Sequence, residues 1–266
     1  MLEQAPDSLS SDVARLLLGV ILLDTVNLDV DAKRATQRDI AAAEQLTRRV
    51  AWLPPASAKK SVDPATVTAA DKDPRCSPGA FFDALRNAKF DPVFWRGLSA
   101  RDCLRYDYKQ FVPDGAGGSG STGDKPDAPL EFGMSSVLCR VDTLSEKPEA
   151  AEAVRAFALE RGIDALIVMT TTLDADDRMK KELLVFADSE RRCEQMEAFL
   201  EGPPGEFLEL QRQQQEQQKE PRPGGGGFFG GSASSSGRFL RWELGNVAPS
   251  RKQVAPSIFS FYESVV

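Results

Sequence analysis

Three places along the 266-residue chain carry side chains whose type and spacing could do chemistry. The first is Asp24, in the run Leu22-Leu23-Asp24-Thr25-Val26-Asn27-Leu28. A carboxylate beside leucines must be paired, hydrogen-bonded, bound to a cation or turned to water, because an unpaired buried charge is too costly. It is also disfavoured at a helix C-terminus by the helix dipole. Asp24 is therefore either a cation ligand or a helix-ending residue that faces solvent or bonds to Thr25 and Asn27. The second place is Ser250-Arg251-Lys252-Gln253, opening a final helix with Pro256 in its first turns. Adjacent cations beside the free N–H groups of a helix start can hold a phosphate or carboxylate through bidentate guanidinium bonds, a point charge and the dipole together. The commoner use of such a pair is a solvated one next to a helix cap. The third is Lys109 in Asp107-Tyr108-Lys109-Gln110-Phe111, which taken alone is an ordinary surface lysine.

Composition removes other chemistries. The chain has no histidine, so Ser-His-Asp triads, Cys-His dyads and His-rich zinc sites are excluded within it. A formal charge of −7, from 40 acidic against 33 basic residues, argues against nucleic acid or an anionic membrane as a partner, since both need a broad basic face. A compact basic site remains open. Cys76, Cys103, Cys139 and Cys193 form no Cys-x-x-Cys pair and read as reduced thiols of a cytoplasmic protein. The apolar run Val13–Leu23 is shorter than the roughly 18–20 residues that span a bilayer. Its acidic leader, with Glu3, Asp7 and Asp12, is unlike a secretory signal.

The elements that must position these residues follow from periodicity. Ser10, Ser11 and Asp12 can cap a helix whose Val13, Leu16, Leu17, Val20 and Ile21 recur at helical spacing. Leu18, Leu22 and Leu23 make its other side apolar too, so it needs neighbours all round. A second helix begins at Thr36, where Thr-Gln-Arg-Asp resembles a capping box. From Pro54 to Gly79 the composition turns to Pro, Ala, Ser, Lys and Asp, which reads as a linker. Beyond it lie short helices around Phe82 to Tyr106, a Gly/Ser-rich hairpin insertion, and a strand over Ser135–Val141. A helix opens at Pro148 and stops at Gly162; strands follow over Ala165–Thr172 and Glu182–Ala187, then a helix over Ser189–Leu200 with Arg192 on its exposed face. A Gln/Gly-rich loop precedes a last strand, Arg238–Leu244. Strand, helix, strand, strand, helix marks an α/β class with a mixed β-sheet flanked by helices.

Taken in order, Leu-Leu-Asp24-Thr25-Val26-Asn27-Leu28, Asp-x-Lys109-x-Phe and Ser250-Arg251-Lys252-Gln253-Val254-x-Pro256 resemble consecutive signatures of the DHH phosphoesterase superfamily. The nearest branch is that of prune proteins, eukaryotic exopolyphosphatases and family II inorganic pyrophosphatases. The resemblance implies a metal-dependent phosphoanhydride hydrolase acting on polyphosphate or pyrophosphate, with Mn2+ or Mg2+ in an N-terminal domain and phosphate-binding cations in a C-terminal one. It makes Asp24 a metal ligand and Lys109, Arg251 and Lys252 the cations that hold substrate phosphates. The superfamily's other ligands and its Asp-His-His motif lie upstream of the Asp24 signature, where this chain has about two dozen residues and no histidine. The resulting expectation is residues 1–53 as the terminal helices of a truncated catalytic domain, 54–79 as a linker and 80–266 as the DHH-associated C-terminal domain, with low-complexity insertions at 113–127 and 203–237. Such a chain would be inactive without the missing N-terminal DHH domain. The alternative is a non-catalytic module that binds a polyanion or a protein.

Overall fold

A computed structural model describes residues 9–53, 73–112, 131–212 and 237–265. The chain divides into two compact units, Met1–Asp91 and Pro92–Val266.

In the first unit, helix α1 (Ser11–Asp24) is capped by the Ser10 hydroxyl, which accepts the Val13 N–H, and α2 (Gln37–Arg49) opens on a full Thr36–Asp39 capping box. Ala14, Leu18 and Leu22 of α1 bury against Ala43 and Leu46 of α2, with Phe81 and Phe82 of α3 (Pro78–Lys89) packed on this cluster. Gly19 permits the close approach of α3: a Cβ there would lie 2.9 Å from Leu85 Cδ1. The linker expected over 54–79 thus gives way at Ser77, which caps α3. The compact units divide at 91/92, with the apolar side of α3 packed on α1. Residues 54–72 lie outside the described ones. The other side of α1, carrying Val13, Leu16, Leu17 and Val20, is exposed, with Leu16 at 71%.

The second unit is a six-stranded mixed sheet between two helical layers. Short helices α4 (Pro92–Gly97) and α5 (Ala100–Arg105) lead into β1 (Tyr108–Phe111) and β2 (Phe132–Val137). Helices α6 (Val141–Ser145) and α7 (Ala150–Arg161) cross over to β3 (Ala165–Leu173), which turns back into β4 (Met179–Ala187). Then come α8 (Glu190–Glu201), α9 (Pro203–Leu208), β5 (Leu210–Arg212), β6 (Arg238–Leu244) and α10 (Arg251–Val265). The strand order is β1-β2-β3-β4-β6-β5, with β2 and β3 parallel and every other pair antiparallel. A crossover helix is what a parallel pair requires. Alternation along the strands builds two cores. Met134, Ile167, Met169, Leu183, Val185 and Trp242 face α8, α9 and α10, while Val137, Leu166, Val168, Leu184 and Phe239 face the helices from α4 to α7.

This is the α/β arrangement expected, a mixed sheet flanked by helices, with several corrected boundaries. The strand expected over Ser135–Val141 runs over 132–137, because Val141 already begins α6. The helix expected from Pro148 starts at Ala150. The insertion expected over 203–237 begins as ordered structure: Pro203 supplies a first-turn proline, Leu208 is buried, and Leu210–Arg212 pairs with β6. Residues 213–236 and the insertion at 113–127 fall outside the described residues. Gly133 in β2 leaves room for the Tyr108 ring, since a Cβ there would come within 2.5 Å of Tyr108 Cε2 and 2.9 Å of Ile163 Cδ1. Tyr108 cannot easily yield, being wedged edge-on against Phe157 with the Arg161 guanidinium over its face. Gly133→Ala should therefore cost about 1–3 kcal/mol of overpacking. Thermal unfolding followed by circular dichroism should show a melting point lower by at least a few degrees, and an unchanged one would contradict this packing.

Candidate functional site

Strand direction gathers distant parts of the sequence at one edge of the sheet of the second unit. The parallel strands β2 and β3 end there, β4 begins there, β6 ends there, Asp107 sits just ahead of β1, and Pro249 and Ser250 lead into α10. The start of α10 is built by the Ser250-x-x-Gln253 spacing. The Gln253 side-chain oxygen accepts the Ser250 N–H at 2.8 Å, and the Ser250 carbonyl accepts the Val254 N–H at 3.1 Å. Arg251 and Lys252 thereby occupy the first turn of a helix that has no acidic residue in that turn. Cations at this end oppose the helix dipole, so the arrangement calls for an anion.

One anion is supplied by the chain itself. Arg251, with its side chain 15% exposed, donates Nη1 to the Asp107 carbonyl at 2.5 Å and Nη2 to Asp107 Oδ1 at 2.9 Å. The same carbonyl accepts the Ser136 N–H at 3.1 Å, so β1, β2 and α10 meet on one peptide group. Lys109 lies one pleat beyond Asp107. It shares its face with Phe111, which stacks on Phe132 at 5.0 Å, and this is the face covered by α10 through Val254, Ala255 and Ile258. Lys109 and Lys252 are both exposed, and neither has an ion-pair partner among the described residues. The structure thus places Arg251 and Lys252 in the first turn of α10, the helix that covers the sheet face to which Lys109 belongs.

Sequence reasoning missed two buried charges next to them. Lys181, 4% exposed, donates Nζ to the Pro249 carbonyl at 2.6 Å. Glu182, 9% exposed, points to the opposite face, where Oε2 accepts the Val141 N–H at the start of α6 and Oε1 accepts Nε of Arg241 at 3.0 Å and its Nη2. Arg241 also reaches Asp142 Oδ1 at 2.6 Å. The signal was present: period-two alternation places Lys181 with Leu183 and Val185, but starting the strand at Glu182 left it out. Arg192, expected on an exposed face, is 14% exposed and pairs with Asp164, just ahead of the start of β3, at 3.4 Å. Burial pushes the Asp142 carboxyl up, but its hydrogen bond and charge pairing with Arg241, aided by Arg140, bring it below its ordinary 3.8. Its unfolded form binds a proton at higher pH than its folded form, so its contribution is present above the ordinary value and is lost as pH falls through the folded one. Asp142→Asn should therefore lower the melting temperature at pH 7. The gap to the unmodified protein should close as melts are taken from pH 4 downward, and a gap independent of pH would refute the ionic origin.

Asp24, in the first unit, is the exposed last residue of α1. Beneath it Thr25 is buried, donating to the Ile21 carbonyl at 2.7 Å and accepting the Leu28 N–H at 3.1 Å. Val26, Asn27 and Leu28 all take left-handed backbone, with φ of 54, 59 and 61°. A β-branched residue in that region is strained. Among the described residues no group of three or more Cys, Asp or Glu side chains could hold a metal ion. A single exposed carboxylate can supply one ligand but not by itself a divalent site, which needs several per ion. The four cysteines are free thiols. No described helix is long and apolar enough to cross a membrane.

The class defined by this architecture is a three-layer α/β domain with a mixed sheet and a cationic helix start at one sheet edge. Comparison with known proteins gives the family: residues 83–261 match the DHHA2 domain, and the chain belongs to that family, the C-terminal part of DHH-superfamily proteins. It is 24% identical over 190 residues to exopolyphosphatase PRUNE1 of Mus musculus, covering 71% of this chain and 33% of that protein. With exopolyphosphatase PRUNE1 of Bos taurus it shares 26% over 186 residues, covering 70% of this chain and 32% of the relative. The chain thus spans about a third of the length of the curated relatives it matches. Among solved structures, a Methanococcus jannaschii protein assigned as a family II inorganic pyrophosphatase superposes with a TM-score of 0.50 at 18% identity, covering 97% of this chain and 57% of that one.

Proposed function

We propose that this chain supplies the phosphate-binding half of a phosphoanhydride hydrolase of exopolyphosphatase or inorganic pyrophosphatase type, with polyphosphate or pyrophosphate as the anion received. The carrying observation is the pair Arg251 and Lys252 in the first turn of α10, a helix start with no acidic residue of its own, whose Arg251 already holds a carboxylate, that of Asp107. The relatives' names, exopolyphosphatase and inorganic pyrophosphatase, support that choice of anion.

In this reading a phosphate oxygen takes the place of the Asp107 carboxylate on Arg251. The exchange is feasible because the Asp107 side chain is 47% exposed and can rehydrate, while its carbonyl keeps hold of Nη1. Lys252 and Lys109 add point charges that neutralise the remaining oxygens, and the first-turn N–H groups add the helix dipole. These cations bind and orient the anion, and they would stabilise charge that builds on phosphoryl and leaving oxygens during transfer. A divalent ion, when bound, would supply the acidification of water that such hydrolysis needs. Asp24 is proposed as one ligand of that ion, with the others outside this chain, so the isolated polypeptide should bind without turning over. The exposed apolar side of α1 agrees with a catalytic domain that continues beyond this chain.

Titration calorimetry of the 266-residue protein with pyrophosphate tests the reading. Arg251→Ala should weaken binding about tenfold to a hundredfold, the worth of a charge-assisted hydrogen-bond pair. Arg48→Ala, which removes a solvated cation of α2 with its side chain 76% exposed, should change it little. Equal effects would remove the case for a specific clamp. Phosphate release by this polypeptide alone, with Mn2+ or Mg2+ present, would defeat the incompleteness argument.

A further inference from the structure

Lys181 has no part in the contacts that the phosphate reading assigns, yet it is among the most deeply buried charges of the molecule, 4% exposed on the face that also carries Leu183 and Val185. A lysine in that position is tolerated only if its ammonium is satisfied. One partner is the Pro249 carbonyl at 2.6 Å, just ahead of the Ser250 cap. Residues 245–250 belong to no helix or strand, and proline has no N–H to donate, so the carbonyl is the backbone group by which residue 249 can be held. On the other side of the cap, Arg251 is tied to Asp107. The start of α10 is thus suspended between a cation from β4 and an anion from the lead-in to β1. When a phosphate draws Arg251 from the Asp107 carboxylate, the Lys181 contact does not have to change.

We propose that Lys181 is a positioning residue of the anion site: by holding the Pro249 carbonyl it fixes where Ser250, Arg251 and Lys252 begin α10, and keeps them there while Arg251 exchanges its carboxylate for phosphate. This rests on the phosphate reading for its purpose, but its mechanical part stands on the contact alone. Lys181→Met keeps length and apolar volume and removes the donor; Lys181→Arg keeps charge and donors.

Hydrogen exchange of the unliganded 266-residue protein tests the mechanical part. In Lys181→Met the Gln253 and Val254 amides, both bonded to the Ser250 carbonyl, should exchange at least tenfold faster, while amides in β3 are unchanged. Lys181→Arg should restore most of that protection. Unchanged exchange at Gln253 and Val254 overturns the proposal whatever the ligand behaviour. Pyrophosphate affinity tests the purpose: about a tenfold loss in Lys181→Met, recovered in part by Lys181→Arg, supports it, and equal affinity in all three proteins overturns it. If the unmodified protein fails to bind pyrophosphate while the exchange result holds, the phosphate reading falls and the tether survives. Should Lys181→Met lose protection throughout the sheet, Lys181→Arg decides: faster exchange at Gln253 and Val254 than in the unmodified protein, with β3 intact, refutes charge-based holding, and native exchange supports it.

Discussion

Two neighbouring residues of a central strand, Lys181 and Glu182, carry opposite charges and are buried on opposite faces of the sheet. A buried charge without partners is among the most destabilising features a core can hold, so each must be met by groups brought to it from elsewhere. Lys181 is met by the backbone that leads into α10, and Glu182 by the first N–H of α6 and the Arg241 guanidinium. A shift of either helix start would break one of these contacts. The pair therefore contacts the starts of two helices, one in each outer layer.

The start of α10 carries charge arranged against the local field. A helix start favours anions, yet α10 begins with arginine and lysine. The unfavourable placement is offset by Asp107, whose carboxylate occupies the fork of Arg251. A carboxylate in this position neutralises the guanidinium at the helix start. The exposure of its side chain makes the contact exchangeable, whereas the carbonyl of the same residue, shared with Ser136, is a fixture of the sheet.

The first unit shows a different imbalance. One side of α1 is packed by α2 and α3, while Leu16 and Val20 on its other side face water. Just beyond, three successive left-handed residues follow Asp24, held by the two hydrogen bonds of Thr25. Strain of this kind persists only where the surroundings enforce it, and it aims the chain away from α1 immediately after the carboxylate. One side of α1 is thus packed and the other open, in a chain that spans about a third of its curated relatives.

The alternation and capping patterns of the sequence determined the class of fold and the order of most elements, because those depend on neighbours three to four residues apart on a helix or two apart on a strand; the phosphate-binding role of the cations came only from the family resemblance. Ser250 and Gln253 mark the start of α10 by spacing alone, and Thr36 and Asp39 that of α2. The tertiary structure decided what no local pattern contains: that Asp107 occupies Arg251 across a separation of 144 residues, that Lys181 reaches the Pro249 carbonyl across 68, and that α3 belongs with α1 rather than with the sheet. Each of these is a contact between segments whose meeting depends on strand order and direction. The chemistry of a side chain is written at its own position, but its partner is set by the topology that returns another segment to it.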